Sequence, residues 1–198
     1  MTDPIENETF ADDDWYGDEL VEQSYSGCTF SRLDLTEVRN QGSVFTECTF
    51  HNVRFNVSRH VDAAFVRCTF QRCHFFEAEF TGCKLVGSTF VDSESLRPLR
   101  IAGGDWSFVG LREADLRGID VRGVRMREID LTGADCTGAV LADVDLSGAQ
   151  LRGVRFDRCD LRGSDLTALD PRSAHLDDAI ITAEQALTVA QVLGMHIR

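Results

Sequence analysis

The sequence predicts an all-β solenoid, a right-handed quadrilateral β-helix that ends in a short C-terminal α-helix. Three observations carry this prediction. An apolar residue recurs at every fifth position, a small or β-branched residue stands two positions before most of them, and glycine often stands two positions after. A period of five fits neither an α-helix, which repeats at about 3.6 residues, nor a strand, which repeats at about 2. It fits a short strand followed by a corner, so that four sides close one coil.

The residues at every fifth position form two runs. In the first run eleven of thirteen are Phe or Leu: Phe30, Leu35, Asn40, Phe45, Phe50, Phe55, His60, Phe65, Phe70, Phe75, Phe80, Leu85 and Phe90. In the second run all twelve are apolar: Leu111, Leu116, Val121, Met126, Leu131, Cys136, Leu141, Leu146, Leu151, Phe156, Leu161 and Leu166. Alternate residues of a strand face the same way. Each of these residues, and the one two positions before it, should therefore point inward.

The two runs are out of phase by one residue, because Phe90 and Leu96 are six positions apart. One extra residue therefore lies between them, close to Pro98. The simpler interpretation is a bulge that bends the coil locally. The alternative is a hinge that takes part in binding.

Some inward positions hold residues that could bear chemistry. Asn40 and His60 are twenty positions apart and should stack in successive coils, where a buried polar pair needs hydrogen bonds. We interpret them as a structural pair. Six of the seven cysteines stand at the inward position two before a centre, and no C-x₂-C spacing suggests zinc. Small buried side chains are the predicted role, with no metal and no cofactor.

Three segments are expected. Residues 1–24 hold nine acidic and no basic side chains and should form an acidic N-terminal tail and loose cap. Residues 25–181 should form the β-helix, with its phase shift between 90 and 96. Residues 182–198 should form a C-terminal dimerisation helix and tail, since Thr182 and Gln185 resemble a capping box. The helix presents a broad apolar stripe, and its proposed dimerisation residues are Ala186, Leu187, Val189, Ala190 and Leu193.

The net charge of −13 and the sequence pI of about 4.7 exclude several classes of partner. An acidic rod repels phosphate, so we expect no direct binding of nucleic acid and no membrane association. No apolar run is long enough for a membrane span, and no signal peptide is recognisable. With an odd number of cysteines, a reduced, cytoplasmic protein is predicted. No phosphate-binding glycine loop or nucleophile motif is present, so we do not expect an enzyme.

The repeats resemble a known family. The segments 114–118 (Ala-Asp-Leu-Arg-Gly) and 134–138 (Ala-Asp-Cys-Thr-Gly) follow the A(D/N)LxG pattern of pentapeptide-repeat proteins, and the resemblance covers about 150 residues. The segment 95–99 (Ser-Leu-Arg-Pro-Leu) and the C-terminal amphipathic helix are similar to the actinobacterial MfpA proteins, relatives of the Qnr fluoroquinolone-resistance proteins. This resemblance implies a two-fold dimer, DNA gyrase (a type II topoisomerase) as the partner, and protection against fluoroquinolones.

Two functions follow as hypotheses. In the first, the protein is a DNA mimic that binds and modulates gyrase: a rod of about 35 Å with net charge −13 compares with about 20 charges on duplex DNA of that length. The alternative is an acidic β-helical interaction scaffold with an unidentified protein partner, whose charge only maintains solubility. Carboxylates stacked in columns along the rod favour DNA mimicry, whereas solubility requires only dispersed charge. The predicted partner-binding residues are Asp115, Asp135, Asp145 and Asp165, then Asp120, Asp130, Asp160 and Asp170. Arg125 and Arg155 interrupt these columns.

Overall fold

The computed structural model describes residues 3–92 and 96–196. These residues form a parallel β-solenoid, with helix α1 (Ala183–Val192) at its C-terminal end, which confirms the predicted fold. The strands of the first coils are β1 (Ile5–Glu6), β2 (Thr9–Ala11), β3 (Glu19–Val21), β4 (Ser24–Ser26), β5 (Thr29–Ser31), β6 (Arg39–Gln41), β7 (Val44–Thr46) and β8 (Thr49–His51). The later strands are β9 (Arg59–Val61), β10 (Ala64–Val66), β11 (Thr69–Gln71), β12 (Glu79–Thr81), β13 (Thr89–Val91), β14 (Arg100–Ala102), β15 (Asp120–Arg122) and β16 (Val140–Ala142).

Three sides of the solenoid are parallel sheets. Their strand orders are β1-β4-β7-β10, β2-β5-β8-β11-β13 and β3-β6-β9-β12-β14-β15-β16. The fourth side is built from isolated bridges, such as those that join Asp14, Asp34 and Arg54. Strands stack in register at twenty residues, as in the pairing of Phe50 with Phe70. Each five-residue repeat therefore occupies the same side in every coil.

The strand register confirms the one-residue phase shift. Phe70 pairs with Phe90 at the twenty-residue interval, but Glu79 pairs with Arg100 and Phe80 with Ile101, one residue further on. The twenty-residue interval then returns between Arg100 and Asp120. The extra residue is thus taken up in a single coil and leaves the inward positions aligned. Residues 93–95, which include Ser95 of the MfpA-like segment, lie outside the described residues, as do residues 1, 2, 197 and 198 of the predicted terminal segments.

The inward residues form one continuous core. Phenylalanine rings stack between coils in the N-terminal half, with centroids 4.8 Å apart for Phe30 and Phe50 and 5.0 Å for Phe50 and Phe70. After the buried Trp106, aliphatic residues predominate, although Phe156 is also fully buried. All seven cysteines are free and buried, and the thiol of Cys73 donates a hydrogen bond to the Phe50 carbonyl. The cysteines thus have the small buried role that the sequence predicts.

The predicted polar pair is also confirmed. Asn40 and His60 are both buried and lie one above the other in strands β6 and β9. Their side chains are hydrogen-bonded to each other. The imidazole ring of His60 also stacks on Phe80, with centroids 4.6 Å apart. His60 therefore continues the ring stacking of the core, and Asn40 occupies the inward position below it.

The corners turn through left-handed backbone conformations. Gly118 has a φ of +68° there, which explains the recurrence of glycine two positions after the centre. Side chains with a Cβ also take this position, and even the β-branched Val57 has a φ of +58°. Such a residue costs about 1–2 kcal/mol in this conformation. The regular stacking of the neighbouring coils outweighs that cost.

The two ends of the solenoid differ. Residues 5–21 form a first coil whose inward side chains Ile5, Phe10, Trp15 and Leu20 are only partly buried. At the other end, Thr182 is the N-cap of helix α1, and the predicted capping box with Gln185 is present. Within the described residues, no helix has the length and hydropathy needed to cross a membrane.

Candidate functional site

The eight aspartates predicted to bind a partner are distributed over all four sides of the solenoid. The structure brings Asp115 and Asp135 together as a bridged pair in adjacent coils. Arg125 and Arg155 do interrupt the columns. The backbone of Arg125 pairs with that of Asp145 in the next coil, and the backbone of Arg155 pairs with that of Asp135. The remaining aspartates are separated in the same way by uncharged residues, Asp130 from Asp170 by Gln150 and Asp120 from Asp160 by Val140. The carboxylates therefore surround the rod and do not form one continuous acidic face.

Most of these carboxylates also have a structural role. Oδ1 of Asp135 accepts a hydrogen bond from the backbone N–H of Thr137, 3.0 Å away, and thereby closes the corner. The same contact, to the residue two positions on, recurs at Asp115, Asp130, Asp145, Asp160, Asp165 and Asp170. The five-residue period alone places these side chains in solvent and does not reveal this role. The available signal was the Ser, Thr or Arg that follows each of them by two positions.

Arginine side chains neutralise part of the array. Arg117 Nε lies 2.8 Å from Asp115 Oδ1, Arg127 Nε lies 2.6 Å from Asp145 Oδ2, and Arg162 Nη2 lies 2.6 Å from Asp160 Oδ2. Asp120, Asp130 and Asp135 also lie within ion-pair distance of arginines. Within the described residues, Asp165 and Asp170 form no ion pair. Exposed pairs of this kind contribute about 0–1 kcal/mol each, so the arginines can move to other partners at little cost.

The same contacts keep the carboxylates ionised. Hydrogen bonds from Arg117 hold the pKa of Asp115 below its usual range, and those from Arg162 do the same for the pKa of Asp160. For Asp145, the hydroxyl of Ser147 and the guanidinium of Arg127 lower the pKa. These three groups therefore carry full negative charge at neutral pH.

The C-terminal helix is fixed to the last coils by one polar side chain. Gln185 is buried, and its Nε2 donates to the Leu161 carbonyl at 2.6 Å and to the Ser164 carbonyl at 2.8 Å. Its Oε1 meanwhile accepts from the backbone N–H of Thr182 at 2.7 Å. One amide thus begins the helix and satisfies two carbonyls at the end of the solenoid.

The predicted dimerisation residues do not share one environment. Val189 faces the solenoid and packs against its core. Ala186 and Leu187 are exposed, with 49% of Leu187 accessible, while Ala190 and Leu193 are half-buried. The apolar stripe is therefore divided between a face that caps the core and a face open to solvent. Only the second, centred on Leu187, is free to meet another molecule.

Metal-binding chemistry has no counterpart in residues 3–92 and 96–196. In those ranges no group of three or more His, Cys, Asp or Glu side chains is placed to hold a metal ion. The void enclosed beside Trp106 is lined by apolar side chains, among them Leu111 and Met126. The outward carboxylates and the open face of α1 are the surfaces that the two functional hypotheses involve.

Comparison with known proteins supports the fold independently. A family model described as pentapeptide repeats matches residues 110–148 and 129–167. A trypsin-treated variant of QnrB1, described as a plasmid-mediated fluoroquinolone resistance protein, superposes with a TM-score of 0.82 at 18% identity, over 98% of this chain and 97% of that chain. Full-length QnrB1 gives a TM-score of 0.71 at 18% identity, over 98% and 100%. No curated protein sequence matches significantly. At this identity, the likeness establishes the fold.

Proposed function

Because a pentapeptide-repeat family model matches residues 110–148 and 129–167 and the whole solenoid has the fold of QnrB1, we propose that this chain is a pentapeptide-repeat protein and a DNA mimic that binds the type II topoisomerase DNA gyrase, modulates its activity and protects it from fluoroquinolones. The target comes from the resemblance to the MfpA proteins, and the likeness in fold to QnrB1 agrees with it. We further propose a cytoplasmic, non-enzymatic protein that binds no nucleic acid directly.

The observation that carries this proposal is the fixed orientation of the outward carboxylates. Asp135, Asp145 and Asp165 are each held at a corner by a hydrogen bond to a backbone N–H. A rigid rod with oriented carboxylates can enter a basic groove without the ordering cost of a flexible acidic tail. The strand spacing of roughly 4.8 Å sets the distance between successive coils. Asp165 and Asp170, which lack ion pairs in the described residues, are the first carboxylates available to a partner.

The proposal includes a homodimer that forms through the C-terminal helix α1. The exposed Ala186 and Leu187 of α1, with the half-buried Ala190 and Leu193 beside them, would pair with a second copy at the end of the rod. Such a dimer doubles the length of the acidic rod and places Asp165 and Asp170 near its centre. Asp115, Asp120, Asp130, Asp135, Asp145 and Asp160 then lie further out on both arms.

One observation favours the alternative, an acidic interaction scaffold with another protein partner. Six of the eight aspartates lie beside arginines, and seven close corners, so their presence has a structural explanation that requires no mimicry. Binding to a basic groove then requires the arginines to be displaced from those carboxylates. The two functions predict different results when the carboxylates are replaced by amides: only the DNA mimic should lose its effect on gyrase activity.

The test measures supercoiling and quinolone-stabilised cleavage by gyrase from the source organism. Wild-type protein should alter one or both at micromolar concentration, more strongly at low salt. The test variant is Asp115→Asn/Asp135→Asn/Asp145→Asn/Asp165→Asn. Asparagine keeps the acceptor oxygen at each corner, so the variant should fold and act at least about tenfold more weakly.

The control removes four charges from the other half of the rod, as Asp34→Asn/Glu47→Gln/Asp62→Asn/Glu77→Gln. It should retain most of the activity. If wild-type protein neither binds gyrase nor changes its reaction at low salt, the scaffold function replaces this proposal. If both variants lose activity equally, the named aspartates are not the binding residues.

A further inference from the structure

The negative charge of the molecule is concentrated at the N-terminal end. Residues 3–31 contain nine acidic and no basic side chains, whereas residues 32–92 contain seven of each. The first coil and the half-coil after it therefore contribute −9 of the total −13. Of these nine acids, only Asp12 and Glu19 lie within ion-pair distance of an arginine in the described residues. This end is the most strongly anionic part of the surface.

The same end has free strand edges. Among the described residues, β1, β2 and β3 are each the terminal strand of their sheet and have one strand neighbour. A terminal strand presents unpaired backbone N–H and C=O groups to any extended chain that approaches it. At the C-terminal end, by contrast, α1 packs on the last coils through Gln185 and Val189.

An apolar groove adjoins the free edge of β3. It encloses about 870 Å³ and is lined by Asp3, Pro4, Val21, Glu22, Gln23, Ser24, Gly42 and Val44. Val21 and Val44 are both exposed, with 51% and 38% of their surfaces accessible. Asp3 and Glu22 are exposed carboxylates in the same lining. The groove thus combines an apolar surface with negative charge.

We propose that this groove and the free edge of β3 dock an extended, basic segment of a partner protein. An added strand would pair with the β3 backbone and direct alternate side chains to opposite sides. Apolar side chains on the inward side would cover the partly buried Leu20. On the outward side, the stems of lysines or arginines would pack on Val21, and their charged ends would face Asp3, Glu22 and the neighbouring acids. A second copy of this chain does not fit as the occupant, because its own N-terminal end carries the same charge.

This site is independent of the proposed gyrase function. It rests on residues at the opposite end of the rod from the candidate aspartates, and it requires only a basic extended chain. Binding experiments that contain no gyrase can therefore test this site separately from the proposed function.

The probe is a short N-acetylated peptide that alternates lysine and valine. It should bind the wild-type protein at low salt and change the fluorescence of Trp15, which lies partly buried in the first coil. The background substitution Trp106→Phe leaves Trp15 as the only tryptophan, since the chain contains two. A peptide of the same composition with prolines inserted at alternate positions should bind at least about tenfold more weakly, because proline cannot donate to a strand edge.

Two charge variants separate the end from the rest of the rod. The end variant is Asp3→Asn/Asp13→Asn/Asp18→Asn/Glu22→Gln, and the control is Glu113→Gln/Glu128→Gln/Asp143→Asn/Asp178→Asn. All eight residues are exposed, and both variants lose four charges. The end variant should bind the peptide at least about tenfold more weakly, and the control less than about twofold.

Val21→Asp separates groove binding from simple attraction. It makes the protein more acidic but removes apolar surface from the groove, so it should weaken binding of the peptide. The proposal is overturned if Val21→Asp binds as well as wild type, if the two charge variants weaken binding equally, or if the wild-type protein does not bind the peptide at low salt. Unchanged circular dichroism of each variant establishes that the solenoid is intact.

Discussion

Asn40 donates a hydrogen bond from Nδ2 to Nδ1 of His60 in the next coil, at 3.1 Å. On the other side of the ring, the hydroxyl of Ser58 donates to the Phe55 carbonyl at 2.6 Å, so its oxygen is free to accept from Nε2–H of His60 at 3.0 Å. These contacts fix the neutral tautomer with its proton on Nε2. A polar chain of three side chains is thereby accommodated inside an aromatic core.

The first prediction concerns the removal of this histidine. His60→Phe should lower the free energy of unfolding by about 1–3 kcal/mol, although Phe is the usual residue at this position, because the Asn40 amide loses its partner inside the core. Asn40→Leu/His60→Phe should recover most of that loss. Guanidinium denaturation measures both. A single variant as stable as wild type would show that the hydrogen bond contributes nothing net.

The second prediction is a dependence of stability on pH. Burial lowers the pKa of His60 from 6.5 to about 3. The unfolded chain therefore binds one more proton than the folded chain between these values, so the free energy of unfolding should fall as the pH drops below 6.5. The slope is at most about 1.4 kcal/mol per pH unit. Measurement between pH 6.5 and 5 precedes most carboxylate titration, and Asn40→Leu/His60→Phe should have a flatter profile there.

The third prediction separates the structural role of an aspartate from its charge. Asp135→Ala removes the acceptor for the Thr137 N–H and should destabilise the protein by about 1 kcal/mol. Asp135→Asn retains the acceptor and should cost clearly less. Denaturation at neutral pH and moderate salt compares them. Equal losses for the two variants would mean that charge, and not closure of the corner, is what Asp135 contributes.

The fourth prediction concerns the anchor of α1. Gln185→Glu keeps the oxygen that accepts from the Thr182 N–H but places a carboxylate against the carbonyls of Leu161 and Ser164. The helix start is thus preserved while its docking is lost. Amide hydrogen exchange in α1 should speed up at least about tenfold, and Glu184→Gln, an exposed control, should leave it unchanged. Unchanged exchange in Gln185→Glu would refute the anchoring role.

The fifth prediction concerns the proposed dimer. Leu187→Glu should convert dimers to monomers in sedimentation without loss of thermal stability of the solenoid, because Leu187 faces solvent in the single chain. Gln150→Glu adds the same charge at an exposed site away from α1 and should leave the dimer intact. A wild-type protein that stays monomeric at high concentration contradicts the pairing itself.

The sequence predicts the fold well because the repeat is local and redundant. Every side of every coil has the same five-residue pattern, so single polar residues such as Asn40 and His60 do not obscure the period. The phase shift between Phe90 and Leu96 was equally readable, since later centres return to a strict interval of five. The corner hydrogen bonds were not predicted, because they depend on how the Asp side chain turns toward the backbone two residues on.

The candidate surfaces were predicted less completely. A helical wheel places Val189 and Leu187 in one apolar stripe but does not tell which of them faces the solenoid; the orientation of Gln185 decides that. Likewise, the columns of aspartates follow from arithmetic, whereas the arginine contacts do not: Arg117 turns back to Asp115 two residues before it, and Arg127 reaches Asp145 in the next coil. Such contacts depend on the conformation of the arginine side chain, which the five-residue period does not specify.

The difference between the two ends of the solenoid sets the order in which its coils unfold. In a stacked array each coil is held mainly by its neighbours, so unravelling begins where a neighbour is missing. Among the described residues, the coil that contains Phe10 and Trp15 has a stacked coil on one side only, whereas Gln185 holds α1 on the last coils through two carbonyls. Local unfolding should therefore begin in the N-terminal coil and proceed towards α1. The most acidic coil is also the first to be released.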